Sequence, residues 1–238
     1  MSEINFLTVA EREARLLLAV AESDWERPVR QCPGWNAHDL VRHVGNVFVW
    51  MGAITTARER VAQRTLAPAP ERAGDLPAWY LDQLARTLVL FNEADPQSIT
   101  WTFSGSGDQR VAWWYRRLAV EVSIHRWDAH DAASPMGAPV PLDSDVATAG
   151  IDEYVQDFLP SLLSSNTIEG LRGQLKLSAL DGPATWSINL STDPSDEPTS
   201  IRATYSDLLL WLVNRGRGDT VSFTGRASVL DEWSKLRR

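Results

Sequence analysis

Cysteine occurs once in the 238 residues, as Cys32, so no internal disulfide can brace this chain. A reducing, cytoplasmic setting is the default expectation for such a sequence. Positive charge is also short: 23 Lys and Arg stand against 31 Asp and Glu, for a net charge of −8 and a pI near 5.0. That balance disfavours a nucleic-acid partner, whose phosphate backbone demands a basic footprint. Nowhere is there an uninterrupted apolar run of about 18 residues, the length a membrane-spanning helix needs. The opening Met1-Ser2-Glu3-Ile4-Asn5-Phe6 has neither the basic nor the apolar region of a signal peptide. What remains is a chain of globular composition, 44% hydrophobic and 23% charged, long enough for one large or two modest domains. Its eleven tryptophans are core or interface anchors, with room among them for a pocket lining or a homodimer face.

Apolar periodicity predicts four helices in residues 1–135. The first runs from Asn5 to Ala21 with Val9, Leu16, Leu17 and Val20 on one face. Asn36 and Asp39 form a capping-box pair that opens the second, which ends near Val61. After a Pro-containing loop from Thr65 to Gly74, a third spans Asp75 to Asn92, with Leu76, Tyr80, Leu84, Leu88 and Phe91 inward. Asp108 caps a fourth, from Gln109 to Asp131. The proline-rich stretch Ser134-Pro135-Met136-Gly137-Ala138-Pro139-Val140-Pro141 suits a domain boundary.

Residues 143–238 change period. A helix capped by Asp143 runs to Phe158. Leu175 to Ala179 and Trp186 to Leu190 alternate about Asp181-Gly182-Pro183, which marks a hairpin. Ile201 to Ala203 is a third strand. A helix capped by Ser206 spans Asp207 to Asn214 and stops at Arg215-Gly216-Arg217-Gly218. A short strand from Val221 to Phe223 and a helix from Arg226 to Leu236 follow. The order implies an α+β multidomain protein: a four-helix bundle, then a small α+β domain.

Glu121 and His125 lie four apart, so on a helix they stack on one face. They share the stripe of Trp114 and Leu118, which should face a core, where an unsatisfied carboxylate is costly. In the second helix His43 falls in the apolar row of Leu40, Val44, Val47, Met51 and Ile54. Two histidines and one glutamate facing each other across a bundle would make a three-ligand metal site with open positions. The plainer readings are a core histidine hydrogen-bonded to its surroundings and a helix-surface Glu–His pair. His38, in the first turn of its helix, is expected in solvent. His130 lies near the end of the helix that carries His125.

Cys32-Pro33-Gly34-Trp35, Asp39-Leu40, His43, and Glu121 with His125-Arg126-Trp127-Asp128 together resemble the mycothiol-dependent maleylpyruvate isomerases, members of the DinB-like metal-binding bundle superfamily. The resemblance covers the whole chain and implies a DinB-like bundle followed by a sterol-carrier-like α+β domain. It implies His43, Glu121 and His125 as ligands of a divalent metal. Zinc suits this donor set first, with nickel, iron(II) or manganese compatible with it. Mycothiol would be the thiol cosubstrate, and Cys32, Pro33 and Trp35 would be structural. In the implied reaction, thiolate adds to the cis double bond of maleylpyruvate, the resulting single bond rotates, and loss of thiolate leaves the trans isomer. The family's C-terminal domain implies an arginine for the substrate carboxylates. Arg202, Arg215, Arg217 and Arg226 are candidates, and Arg202 on its strand is the choice as the catalytic arginine.

The motifs define a site rather than a substrate. The leading expectation is a metal-dependent isomerase or thiol transferase acting on a small electrophile. The alternatives are a non-catalytic small-molecule-binding or regulatory protein on the same scaffold, and a metal-free bundle in which Glu121 pairs with Arg42 or Arg117.

Overall fold

The computed structural model describes residues 4–134, 139–165, 171, 173–190, 198–215 and 219–236. Pro135–Ala138 of the expected linker and Gly216–Gly218 of the expected helix stop, with Arg217, lie outside the described residues. The chain forms two compact units: Met1–Phe103 with Gly107–Val140, and Ser104–Ser106 with Pro141–Arg238.

The first unit consists of α1 (Phe6–Ala21), α2 (Ala37–Ala57), α3 (Leu76–Glu93) and α4 (Val111–Ala133). α1 packs chiefly on α4 and α2 on α3, and α2 also meets α4. α1 turns inward Leu17 of the expected face and packs Val9 and Val20 against the core, but Leu16 points outward. Ala10, Glu13, Ala14, Leu17, Leu18 and Ala21 are buried, while Leu16 is 44% exposed. The small alanines allow close approach to α4, and Glu13 is admitted because Arg126 of α4 meets it at 2.6 Å.

α2 begins with the expected capping box. Asn36 accepts from the Asp39 N–H at 3.0 Å, and Asp39 accepts from the Asn36 N–H at 3.2 Å. The helix stops at Ala57, short of Val61, because Arg58 turns left-handed (φ 59°) and its N–H closes on the Ile54 carbonyl. No glycine announces this stop. Gly45, buried in the same helix, has no room for a Cβ, which would overlap the Trp79 ring of α3.

α4 starts at Val111, and Asp108 is not its cap. Its carboxylate accepts instead from the N–H and guanidinium of Arg110, at 3.0 and 2.7 Å. Trp113 and Trp114 are fully buried beside Trp50, Trp101 and Phe103. Five of the tryptophans and phenylalanines are thereby spent on the core of the bundle.

In the second unit α5 (Ser144–Glu153) does not end at Phe158. It passes through a π-helical segment, Tyr154–Phe158, into α6 (Leu159–Ser165). Pro160 lacks an N–H and would clash with the carbonyl one α-turn back, and the wider π turn just before it relieves that conflict. Among the described residues four strands follow: β1 (Gln174–Ala179), β2 (Thr185–Asn189), β3 (Thr199–Ala203) and β4 (Ser222–Thr224). Their order is β2-β1-β3-β4, with β1 and β3 parallel and the outer pairs antiparallel. Leu175, Leu177, Ile201 and Ala203 alternate into the core, where α7 (Tyr205–Leu212) packs on β1 and β3. Thr204, rather than Ser206, caps α7, accepting from the Asp207 N–H at 3.2 Å. The Ser206 hydroxyl is taken up by the N–H of Leu142 at 3.0 Å. In α8 (Ala227–Trp233), Trp233 stacks on Trp211 with ring centres 4.9 Å apart.

Ser104–Ser106 belongs to this unit. Both serine hydroxyls meet Oδ1 of the buried Asp157, at 2.6 and 2.8 Å, and Gly105 lies where a Cβ would come within 2.6 Å of the Asp157 carbonyl oxygen.

Candidate metal centre

Cys32-Pro33-Gly34-Trp35 forms a tight turn in which the Trp35 N–H reaches the Cys32 carbonyl at 2.9 Å. Proline presets the first corner, and Gly34 supplies the positive φ of 87° that the second requires. Arg30 and Gln31, just before the turn, fasten it to the last turns of α4. Arg30 donates to the Asp131 carbonyl and carboxylate at 2.7 and 2.9 Å, and Gln31 to the same carboxylate at 3.2 Å. The turn leaves the Trp35 ring 5.0 Å from that of His43, and the Cys32 thiol facing Asp128.

From α2 and α4, His43, Glu121 and His125 come together. Nε2 of His43 lies 3.3 Å from Oε1 of Glu121, and Nε2 of His125 lies 3.3 Å from the same oxygen. The two imidazole rings are 4.9 Å apart and nearly perpendicular, at 77°. All three donor atoms fall within 4.8 Å of one another. Metal–ligand bonds of about 2.0–2.1 Å at tetrahedral angles put ligand atoms roughly 3.3 Å apart, so the donor set fits a zinc-sized ion. Side-chain exposure falls from 35% at His43 through 16% at Glu121 to 7% at His125, so the cluster is open on its His43 side.

Two further side chains stand behind these three. Arg117, one turn before Glu121, holds the second carboxylate oxygen, Oε2. This is the pairing expected of the metal-free alternative, but it leaves Oε1 facing both imidazoles. Asp128, one turn after His125 and fully buried, meets the Nδ1 of His125 at 2.9 Å. The Cys32 Sγ lies 3.8 Å from the same Asp128 oxygen. Cys32, His125 and Asp128 make a second group of potential donors that shares the His125 ring with the first.

His38 departs from its expected solvation: it is half-buried, edge-on to Trp25 with ring centres 6.1 Å apart. His130 falls within α4, half-buried. Burial and, next, the nearby Arg126 hold its pKa below the ordinary 6.5, against an opposing pull from Glu13. Arg202 stands exposed on β3 in the second unit. Its face of the sheet carries Lys176, Ser178, Thr185, Ser187, Ser200, Ser222 and Thr224, by pairing register, and no acidic residue in those rows. Arg215 bonds to its own helix end, donating to the Val213 carbonyl at 3.2 Å. Asp128 is the residue at the site to which sequence reasoning gave no role, while Arg117 was expected only as the partner of Glu121 in the metal-free alternative; the signal for each was spacing, three after His125 and four before Glu121.

The molecule is thus a four-helix bundle with a His–Glu–His cluster suited to a divalent metal, joined to an α+β unit. The profile of the mycothiol maleylpyruvate isomerase N-terminal domain matches residues 6–130, more than half of the chain, and the chain belongs to that family. No curated protein matches it in sequence. Among solved structures, it is similar to a crystal structure of the mycothiol-dependent maleylpyruvate isomerase, with TM-score 0.67, 16% identity and 93% of each chain covered. A histidine-to-alanine mutant of that enzyme is similar as well, with TM-score 0.66, 14% identity and 93% of each chain covered. At these identities the likeness establishes the fold, and both units take part in it.

Proposed function

We propose that this protein is a divalent-metal enzyme that uses a low-molecular-weight thiol, mycothiol, to isomerise or transfer onto a small electrophilic substrate of the maleylpyruvate kind. The observation that carries the reading is the convergence of His43, Glu121 and His125 on one opening. Zinc is the first choice of metal, because two imidazoles and one carboxylate suit it and three protein ligands leave a position for an exogenous one. A bound divalent cation would lower the pKa of a thiol and stabilise negative charge at that position.

The chain's own residues do the rest. His43 and His125 would hold the metal through Nε2, and Glu121 through Oε1. Arg117 keeps Oε2 occupied, which leaves Oε1 as the oxygen that Glu121 would offer a metal. The half-exposed His43, beside Trp35, borders the side through which substrate and thiol enter. Arg202 holds a carboxylate of the dianionic substrate, and its exposed cationic face without acidic neighbours in the paired rows supports that role. A reducing cytoplasm keeps both Cys32 and the thiol cosubstrate in the reduced form. No described helix is long and apolar enough to cross a membrane.

Elemental analysis of protein purified without chelator or metal-affinity tag, with His43→Ala in parallel, tests the reading. Near-stoichiometric zinc in the wild type, lost in the variant together with thiol-dependent turnover of unsaturated dicarboxylates, is expected. Full turnover by metal-free protein would sink it.

A further inference from the structure

The His125 ring belongs to two donor groups at once. Through Nε2 it faces Glu121 and His43; through Nδ1 it faces Asp128 and Cys32. A ring nitrogen that carries a proton cannot ligate, so which group holds the metal depends on where the ring keeps its proton. Asp128 has no solvent exposure, and its Oδ2 sits 2.9 Å from Nδ1 of His125 and 3.8 Å from the Cys32 sulfur. A buried carboxylate in this position needs hydrogen-bond donors, and the ring N–H and the thiol S–H supply them.

We propose, resting on the metal reading above, that Asp128 is the positioning residue of the centre. It accepts the Nδ1 proton of His125, which commits Nε2 to the metal and closes the Cys32–His125–Asp128 group as a competing site. Cys32 then serves as a hydrogen-bond donor to Asp128, neither ligand nor nucleophile. Arg117 plays the matching part for Glu121, with Oε2 taken and Oε1 offered. Two of the three ligands are thereby aimed from behind by buried charged groups on the same helix, α4, at i+3 and i−4. The third, His43, is the more exposed and is braced by the Trp35 ring.

Zinc-loaded wild-type protein tests this without any substitution. Long-range proton–nitrogen correlation spectra should show His125 protonated at Nδ1 and metal-bound at Nε2, and the cobalt(II)-substituted protein should show no thiolate charge-transfer band. Competition with a chromophoric chelator should then show zinc affinity reduced by about 10- to 100-fold in Asp128→Asn. Cys32→Ala should keep affinity near the wild-type value. Thermal unfolding of the metal-free Asp128→Asn protein separates weakened binding from a lost fold. Zinc on Nδ1, a thiolate band, or wild-type affinity in a folded Asp128→Asn protein would each overturn the proposal while the metal reading stands. A wild type that takes up no zinc would overturn the metal reading, and this proposal with it.

Discussion

Replacing Arg126 with methionine should cost the bundle about 3–5 kcal/mol, the usual consequence of removing one partner of a buried ion pair. Arg126 and Glu13 have side chains only 3% and 4% exposed and join α4 to α1 through a 2.6 Å Nε–Oε2 contact. The same guanidinium donates to the Val140 carbonyl at 2.6 Å. Methionine fills most of the arginine's volume, so packing is largely kept and the loss is electrostatic. Glu13 would keep Arg12 at 2.9 Å, but that side chain is 48% exposed and a weak substitute. The carbonyl would lose a charge-assisted donor, on the order of 1–3 kcal/mol and already within the range given. At about 2–4 °C per kcal/mol for a chain of this size, the melting temperature should fall by roughly 6–20 °C. The double variant Glu13→Leu/Arg126→Met removes both charges and should recover at least half of the loss. Denaturant titration of the wild type, each single variant and the double closes the cycle. A single variant within about 1 kcal/mol of the wild type, or a double no more stable than Arg126→Met, would refute the argument that burial makes this pair obligatory.

Three further outcomes are expected. Asn36→Ala removes half of the capping box that starts α2 and should destabilise the protein by about 1 kcal/mol in denaturant melts, with no loss if the cap were idle. His130 has its folded pKa below the ordinary 6.5, so it binds protons more readily when unfolded. Its contribution to stability is complete above pH 6.5 and is lost as pH falls through the lower folded value; the melting temperature of His130→Gln should decline less steeply with acid than that of the wild type, and parallel profiles would contradict this. Arg202→Met should raise KM for a dicarboxylate substrate by about ten-fold or more while leaving zinc content unchanged, given the roughly 1.5–3 kcal/mol of a charged hydrogen bond; an unaltered KM would remove Arg202 from the site.

The parts of the fold that repeat a simple period were legible. Glu121 and His125 read as neighbours because four residues complete a helical turn, and His43 stood out as the one ionisable group in an apolar row. The Asn36–Asp39 cap was legible for the same local reason. Misreadings arose where a tertiary contact outweighed local preference. α1 buries alanines and a glutamate in place of Leu16 because Arg126, far along the chain, neutralises Glu13. Arg58 ends α2 without a glycine, and a π turn carries the α5 helix past the stop that Pro160 would impose. At the site, Arg117 and Asp128 bear the same spacing signal as any surface pair on a helix. Only their burial, with almost no solvent at either, separates them from solvated charges.

Ser104–Ser106 bears on how this protein could be taken apart. A fragment beginning after the proline-rich stretch would hold every strand of the sheet, yet it would lack the two hydroxyls that meet Asp157. Asp157 is 2% exposed and sits in the π segment, so the loss would fall on that irregular turn. The second unit is therefore discontinuous in sequence, and its excision or transfer to another protein requires the tripeptide as well as the C-terminal chain. During synthesis the tripeptide leaves the ribosome some fifty residues ahead of the aspartate it serves (157 − 104 = 53), so the second unit cannot complete its hydrogen bonds until a piece of chain already made is returned to it.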